Sequence, residues 1–192
     1  MEHGTQDVKG AERGYTLVET VIVFGLFAFI AIVVIALIQG YGAFYRAHNS
    51  SVDVVRSASM VMNEVRTAAL QASQAVSSHT FPEATVSTGE NALVLQLPSI
   101  EENGAVIPGS FDYVAFHASG SDAYRLLDTA VGSTRHSGSK KLGSSVESLS
   151  FSYDNQTPSL ITYIDAAVHT RADVSGRVVE SELSQRIYLR NR

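Results

Sequence analysis

The chain of 192 residues contains no cysteine. That excludes a disulfide, a thiolate zinc site and a catalytic thiol, so any core has to hold by packing alone. There are only four prolines, and none interrupts the interval 21–38. Formal charge of either sign is missing from the whole stretch between Glu19 and Arg46. Basic residues are outnumbered, 14 against 19 acidic ones, for a net charge of −5. On bulk charge this argues against a nucleic-acid binder.

Catalytic signatures are missing as well. The six histidines, at 3, 48, 79, 117, 136 and 169, form neither an H-x-H nor an H-E-x-x-H spacing, and each reads as a surface or sheet residue rather than a zinc ligand. No G-x-S-x-G elbow presents a serine nucleophile. The segment from Gly138 to Ser144 has a phosphate-loop spacing, but Ser144 stands where the lysine belongs, so it reads as a Gly/Ser-rich surface loop. The aspartates are scattered, and no dense oxygen-ligand loop selects a calcium site. No enzyme activity, cofactor or metal is expected.

What the chain does have is one long apolar run. From Val21 to Ile38, eighteen consecutive residues lack a polar side chain. At 1.5 Å per residue, a helix of that length covers about 27 Å, close to the thickness of a bilayer core. Glu19 sits at the lip of this run, where an ionisable group is costly. Thr16-Leu17-Val18-Glu19 also fits the S/T-x-x-E capping box, which satisfies backbone donors at a helix start.

In order, Gly14, Tyr15-Thr16-Leu17-Val18-Glu19 and the apolar run resemble the N-terminal signal of type IV pilins and type II secretion pseudopilins. The resemblance implies a leader over residues 1–14, a cut after Gly14 by prepilin peptidase, and N-methylation of Tyr15. It makes Glu19 the assembly glutamate. Cleavage would give Tyr15 a cationic amine, and Glu19 at i+4 could meet that amine on a neighbouring subunit, neutralising two ions that are expensive in lipid. Arg135, Lys141-Leu142, the stretch 146–153 and Leu189-Arg190-Asn191 further resemble J-type minor pseudopilins and W-type minor pilins.

Patterning extends the reading along the chain. The expected layout is a transmembrane segment over 15–45, an amphipathic continuation of the helix over 46–76, and a β-rich domain over 77–192. The stripe Val55, Ala58, Met62, Val65, Ala69, Ala72 and Val76 alternates gaps of three and four, as a one-sided helix does. Arg46, Asp53, Arg56, Glu64 and Arg66 are expected to face water or neighbouring subunits. Alternation then predicts strands around Leu93–Leu97, Phe111–Phe116, Tyr124–Leu126, Leu149–Tyr153, Ile161–Val168 and Leu183–Leu189. Turn residues fall at 154–158 and 173–176. The cluster Arg135-His136-Ser137-Gly138-Ser139-Lys140-Lys141 reads as a solvated loop.

The expected fold is α+β and pilin-like: one long N-terminal helix, membrane-spanning in its first half, packed against an antiparallel meander. The expected function is that of a minor pilin or pseudopilin that helps initiate or cap a filament. Its implied partners are prepilin peptidase, other pilin or pseudopilin subunits, a membrane assembly platform and the lipid bilayer. The expected location is the cytoplasmic membrane, single-pass, with the C-terminal domain outside the cytoplasm, and then the filament. The alternative is a membrane-anchored extracytoplasmic module that recognises DNA or a surface.

Overall fold

A computed structural model describes residues 16–174 and 176–189. Gly14, Tyr15 and the leader 1–14 lie outside the described residues, as do Arg190 and Asn191. The elements in chain order are α1 (Leu17–Gln71), β1 (Gln74–Ala75), β2 (Ser78–Thr80), β3 (Thr85–Ser87), β4 (Ala92–Ile100), β5 (Val106–Ser119), β6 (Asp122–Asp128), β7 (Gly138–Ser144), β8 (Val146–Tyr153), β9 (Tyr163–Val174) and β10 (Arg177–Tyr188), with a 3₁₀ turn at Pro158–Leu160. The architecture is α+β, and the strand pairs are antiparallel. The chain divides into two compact units, one ending at Tyr45 and the other running from Arg46 to Arg192.

In the first unit, helix is the state that apolar sequence adopts where water cannot satisfy the backbone, because every N–H bonds within the segment. Leu17–Gly42 is long and apolar enough to cross a membrane, and none of its most apolar window is buried by the protein itself.

In the second unit, α1 contributes a buried stripe of Val54, Ala58, Val61, Met62, Val65 and Ala69. Val55, expected in that stripe, is 50 % exposed, and Val54 takes its place. Spacings of three and four both continue a helical face, so the pattern alone does not choose between them. Packing does: the Val54 carbonyl accepts a hydrogen bond from Thr170 Oγ1 of β9 at 3.1 Å, which turns this side of the helix inward. The helix stops at Gln71, not near Val76. Ala72 N–H reaches back to Ala69 O, while both Ser73 N–H and Ser73 Oγ donate to Gln96 O of β4. The backbone thus leaves the helix for an edge position beside β4, and Val76 follows a short strand.

The strands do not form one meander. A five-stranded sheet has the order β1-β4-β5-β6-β7, a three-stranded sheet the order β10-β9-β8, and β2-β3 make a separate hairpin. The break falls at Ser145, which takes a φ of +59°, a left-handed conformation costly for a residue with a Cβ. It swings the chain out of the first sheet, so β7 and β8 are consecutive yet unpaired. Val146 N–H then donates to Ser121 O, and Arg171 N–H to Ser145 O, which holds the corner.

The main core joins the α1 stripe to Leu93, Leu95 and Leu97 of β4, Val114 and Phe116 of β5, Leu149 and Phe151 of β8, and Ile164 and Val168 of β9. A smaller cluster lies on the other side of β4, where Phe81 and Val86 of the hairpin segment cover Val94, Ala115 and Leu126. β4 is therefore buried on both faces, as a central strand should be.

Helix and sheet approach each other closely at Gly143. A Cβ built there would lie 3.1 Å from Ser57 Cβ and 3.3 Å from the Ser57 carbonyl oxygen. Gly143→Val is accordingly expected to destabilise the second unit by about 1–3 kcal/mol, the usual range for overpacking. A denaturant melt of the full chain in detergent checks this, and an unchanged midpoint would show that α1 can move away at no cost.

Candidate functional site

The start of α1 is built by its own sequence. Thr20 N–H donates to Thr16 O at 3.1 Å, the first i to i−4 bond, which makes Thr16 the N-cap and Glu19 the third helical residue. Thr16 N–H and Thr16 Oγ1 both donate to Glu19 Oε2, at 2.9 and 3.0 Å, and Glu19 N–H donates to Thr16 Oγ1 at 3.3 Å. This is the reciprocal capping box. The carboxylate also complements the positive end of the helix dipole. Both contacts fall on one oxygen of Glu19, whereas a carboxylate offers about four acceptor positions. The group can thus hold the cap and still accept from a donor outside the chain. Glu19 itself is exposed, and beyond it Val21, Ile22, Phe24 and Phe27 are each at least 60 % exposed. An unbroken apolar surface of this kind calls for lipid or another apolar surface around it.

A second constellation lies in the β-rich unit, around a carboxylate. Asp112 shares the inward parity of Val114 and Phe116 on β5 and is fully buried. Its Oδ1 accepts from Ser99 Oγ at 2.8 Å and Ala130 N–H at 3.0 Å. Its Oδ2 accepts from Ser133 Oγ at 2.8 Å and from Arg135 at 2.6 Å. The same guanidinium donates to Pro98 O at 2.8 Å and to Gln71 Oε1 at the end of α1, at 3.1 Å. Burial pushes the Asp112 carboxyl up, but the hydrogen bonds from Arg135, Ser133, Ala130 and Ser99 outweigh it and hold the group below its ordinary value.

Arg135 therefore does not belong to a solvated loop. Two further cations of that cluster, Lys140 and Lys141, are exposed yet also paired across the fold. Gly138–Ser144 forms β7, Lys140 pairs with Glu64 at 2.7 Å, and Lys141 pairs with Asp122 at 2.7 Å. Glu64, expected to face water or neighbouring subunits, is instead clamped between Lys140 and Arg125 and anchors α1 to β6 and β7. Burial pushes its carboxyl up, and the two cations more than compensate, leaving it below its ordinary value.

The histidines are dispersed. His79 stacks on Tyr113 at 3.9 Å and pairs with Asp128 at 2.8 Å. His117 stacks on Tyr124 at 5.8 Å, and burial lowers its pKa. His169 pairs with Glu147 at 2.8 Å. Among the described residues, no three histidines or carboxylates converge on a metal-sized site. A groove of about 550 Å³ beside Asp53, Arg56 and Lys141 includes no histidine in its lining.

No family model matches the chain, and no curated protein matches it significantly. The residues that sequence reasoning missed are Asp112 and its donors Ser99, Ala130 and Ser133, whereas the sequence singles out Arg135 but places it in a solvated loop. The available signal was parity, since a carboxylate at the inward position of an alternating strand has to find partners.

Proposed function

We propose that the chain is a membrane-inserted filament subunit of the minor pilin or pseudopilin kind. One observation carries the reading: Gly14 and Tyr15 precede, without interruption, a helix capped by Thr16 and Glu19 that continues as a membrane-length apolar segment, Leu17–Gly42. In this reading prepilin peptidase cuts after Gly14, Tyr15 is methylated, and the second unit lies outside the cytoplasm. Glu19 then serves two masters, its own helix start and the Tyr15 amine of a neighbour. The partners are other pilin-like subunits and a membrane assembly platform, and no catalytic role is assigned.

One finding favours a second reading. The capping box already gives Glu19 a local role, and a plain membrane anchor carrying an extracytoplasmic binding module needs nothing more. Processing separates the two. Intact-mass measurement on the protein from its native membrane is expected to show loss of residues 1–14 and one added methyl group on Tyr15. A mature terminus at Met1, or one after Gly42, would rule out the filament reading and leave the anchored module.

A further inference from the structure

Sheet edges expose unpaired backbone groups, and proteins blunt them with short strands, bulges, lysines, prolines or covering segments. Most edges of this protein follow that rule. β1 has two residues, and β2 and β3 have three each. β7 carries Lys140 and Lys141, and its register with β6 is broken by an irregularity. β8 has an irregularity between Val146 and Ser148, and Phe151 N–H on its outer side donates to Glu90 O at 2.7 Å.

Among the described residues, β10 is blunted by none of these, and the outward charges it carries, Glu180, Glu182 and Arg186, are of both signs. It is a twelve-residue edge strand in unbroken register with β9, without proline, lysine or bulge. Leu189 N–H donates to the directly opposite Thr162 O at 3.0 Å. Bonded and non-bonded pairs alternate in an antiparallel ladder. The odd residues of β10 therefore bond β9, while Val178, Glu180, Glu182, Ser184, Arg186 and Tyr188 point their N–H and C=O groups outward. All six are exposed.

We infer that this edge pairs with the same edge of a second copy of the chain, antiparallel about a twofold axis at Leu183. The sequence of β10 is self-complementary in that register. Val178 falls opposite Tyr188, Glu180 opposite Arg186 and Glu182 opposite Ser184, and each of these is a pair of outward-pointing residues. On the other face Leu183 meets Leu183 of the second copy, and Val179 meets Ile187. Charge also alternates across the junction. Within one copy Arg186 is held by Asp165 through two contacts of 2.8 Å, and Glu180 lies 3.5 Å from Arg171. Joining the edges places Asp165, Arg186, Glu180 of the second copy and Arg171 of the second copy in one row of alternating sign. Opposite charges facing each other across strands stabilise pairing, and like charges oppose it. A twofold contact of this kind closes on itself and leaves no further edge open at β10. The inference stands whether or not the chain enters a filament.

The absence of cysteine makes the test direct. In this register residue 183 faces itself in a non-hydrogen-bonded pair, with Cα atoms about 4.5 Å apart, within the 4.4–6.8 Å range of disulfides. Residue 185 is displaced from its own copy by four positions, about 14 Å along the strand. Mild oxidation of full-length Leu183→Cys protein in membranes is expected to give a disulfide-linked dimer, and Gln185→Cys at least tenfold less. Ser184→Pro removes an outward N–H without touching a bond to β9. In the Leu183→Cys background it should cut crosslinking at least tenfold, while Ser184→Ala leaves it unchanged. A measurement without cysteine supports the same conclusion: the unsubstituted chain in detergent should have the mass of a dimer, and Ser184→Pro that of a monomer with the same melting curve. Equal crosslinking of the two cysteine variants, a monomeric unsubstituted chain, or a proline variant that still dimerises would overturn the inference. So would a crosslink from residue 183 to a different protein, which would assign the edge to another partner.

Discussion

Arg135→Ala is expected to destabilise the Arg46–Arg192 unit by about 3–5 kcal/mol, because it leaves the Asp112 carboxylate buried without its cation. The loss is larger than for a surface ion pair, which is worth about 0–1 kcal/mol, since Asp112 is fully buried and water cannot replace the guanidinium. Arg135→Lys should recover only part of it. A lysine is a point charge, whereas the arginine fork reaches Asp112, Pro98 O and Gln71 at once. The pH dependence has a definite sign. The folded-state pKa of Asp112 is depressed, so its contribution is complete above the unfolded carboxylate value near 3.9 and is lost as pH falls through the lower folded value. Without Arg135 the Asp112 pKa rises, protonation relieves the buried charge, and the gap between the two proteins should narrow as pH falls from that raised value to the depressed value of the unsubstituted protein. Denaturant melts at pH 7 and at about pH 3 check both statements. Equal midpoints at pH 7 would mean that Ser99, Ser133 and Ala130 suffice to hold the carboxylate.

That node also shows where sequence reasoning reaches its limit. Strands with a strong apolar alternation, such as Leu93–Leu97 and Leu149–Tyr153, are legible because the main core fixes their inner faces. β7 is not, because it lies at an edge and only Leu142 is buried, so Gly138–Ser144 carries no alternation to read. The chain passes from the first large sheet to the second at Ser145, whose left-handed backbone no local signal announces. The apolar pattern overruns the helix end because Ala72 and Val76 continue the stripe, although Gln96 has already captured Ser73. In sequence Arg135 looks solvated because its partners, Asp112, Pro98 and Gln71, come from distant parts of the chain. By contrast, the cap at Thr16 and Glu19 was fully legible, since both partners lie within four residues.

Glu19→Ala is expected to leave the chain in the membrane at its normal level while reducing co-purification of partner subunits a hundredfold or more. Insertion should survive because the substitution removes a carboxylate that lipid disfavours. Association should not, because a neighbour's terminal amine loses its counter-ion in a low-dielectric contact. Breaking such a pair costs about 3–5 kcal/mol, and about 1.4 kcal/mol corresponds to tenfold in affinity. The geometry at Thr16 makes alanine alone ambiguous, since it also removes the Glu19 side-chain half of the reciprocal cap, leaving only the backbone N–H of residue 19 on Thr16 Oγ1. Glu19→Gln resolves this. Glutamine serves at the third position of a capping box as well as glutamate does, so it keeps the helix start and removes only the charge. If the carboxylate pairs with a neighbour, Glu19→Gln loses partner recovery nearly as severely as Glu19→Ala. If the cap is its whole role, Glu19→Gln recovers partners at the unsubstituted level and only Glu19→Ala is impaired. Glu19→Asp adds a measure of reach, because it retains the charge on a side chain one methylene shorter. Recovery that falls in the order Glu, Asp, Gln, Ala would place the ion pair and the cap on the same residue, each contributing separately. Unimpaired recovery by all three variants would instead assign the helix to anchoring alone.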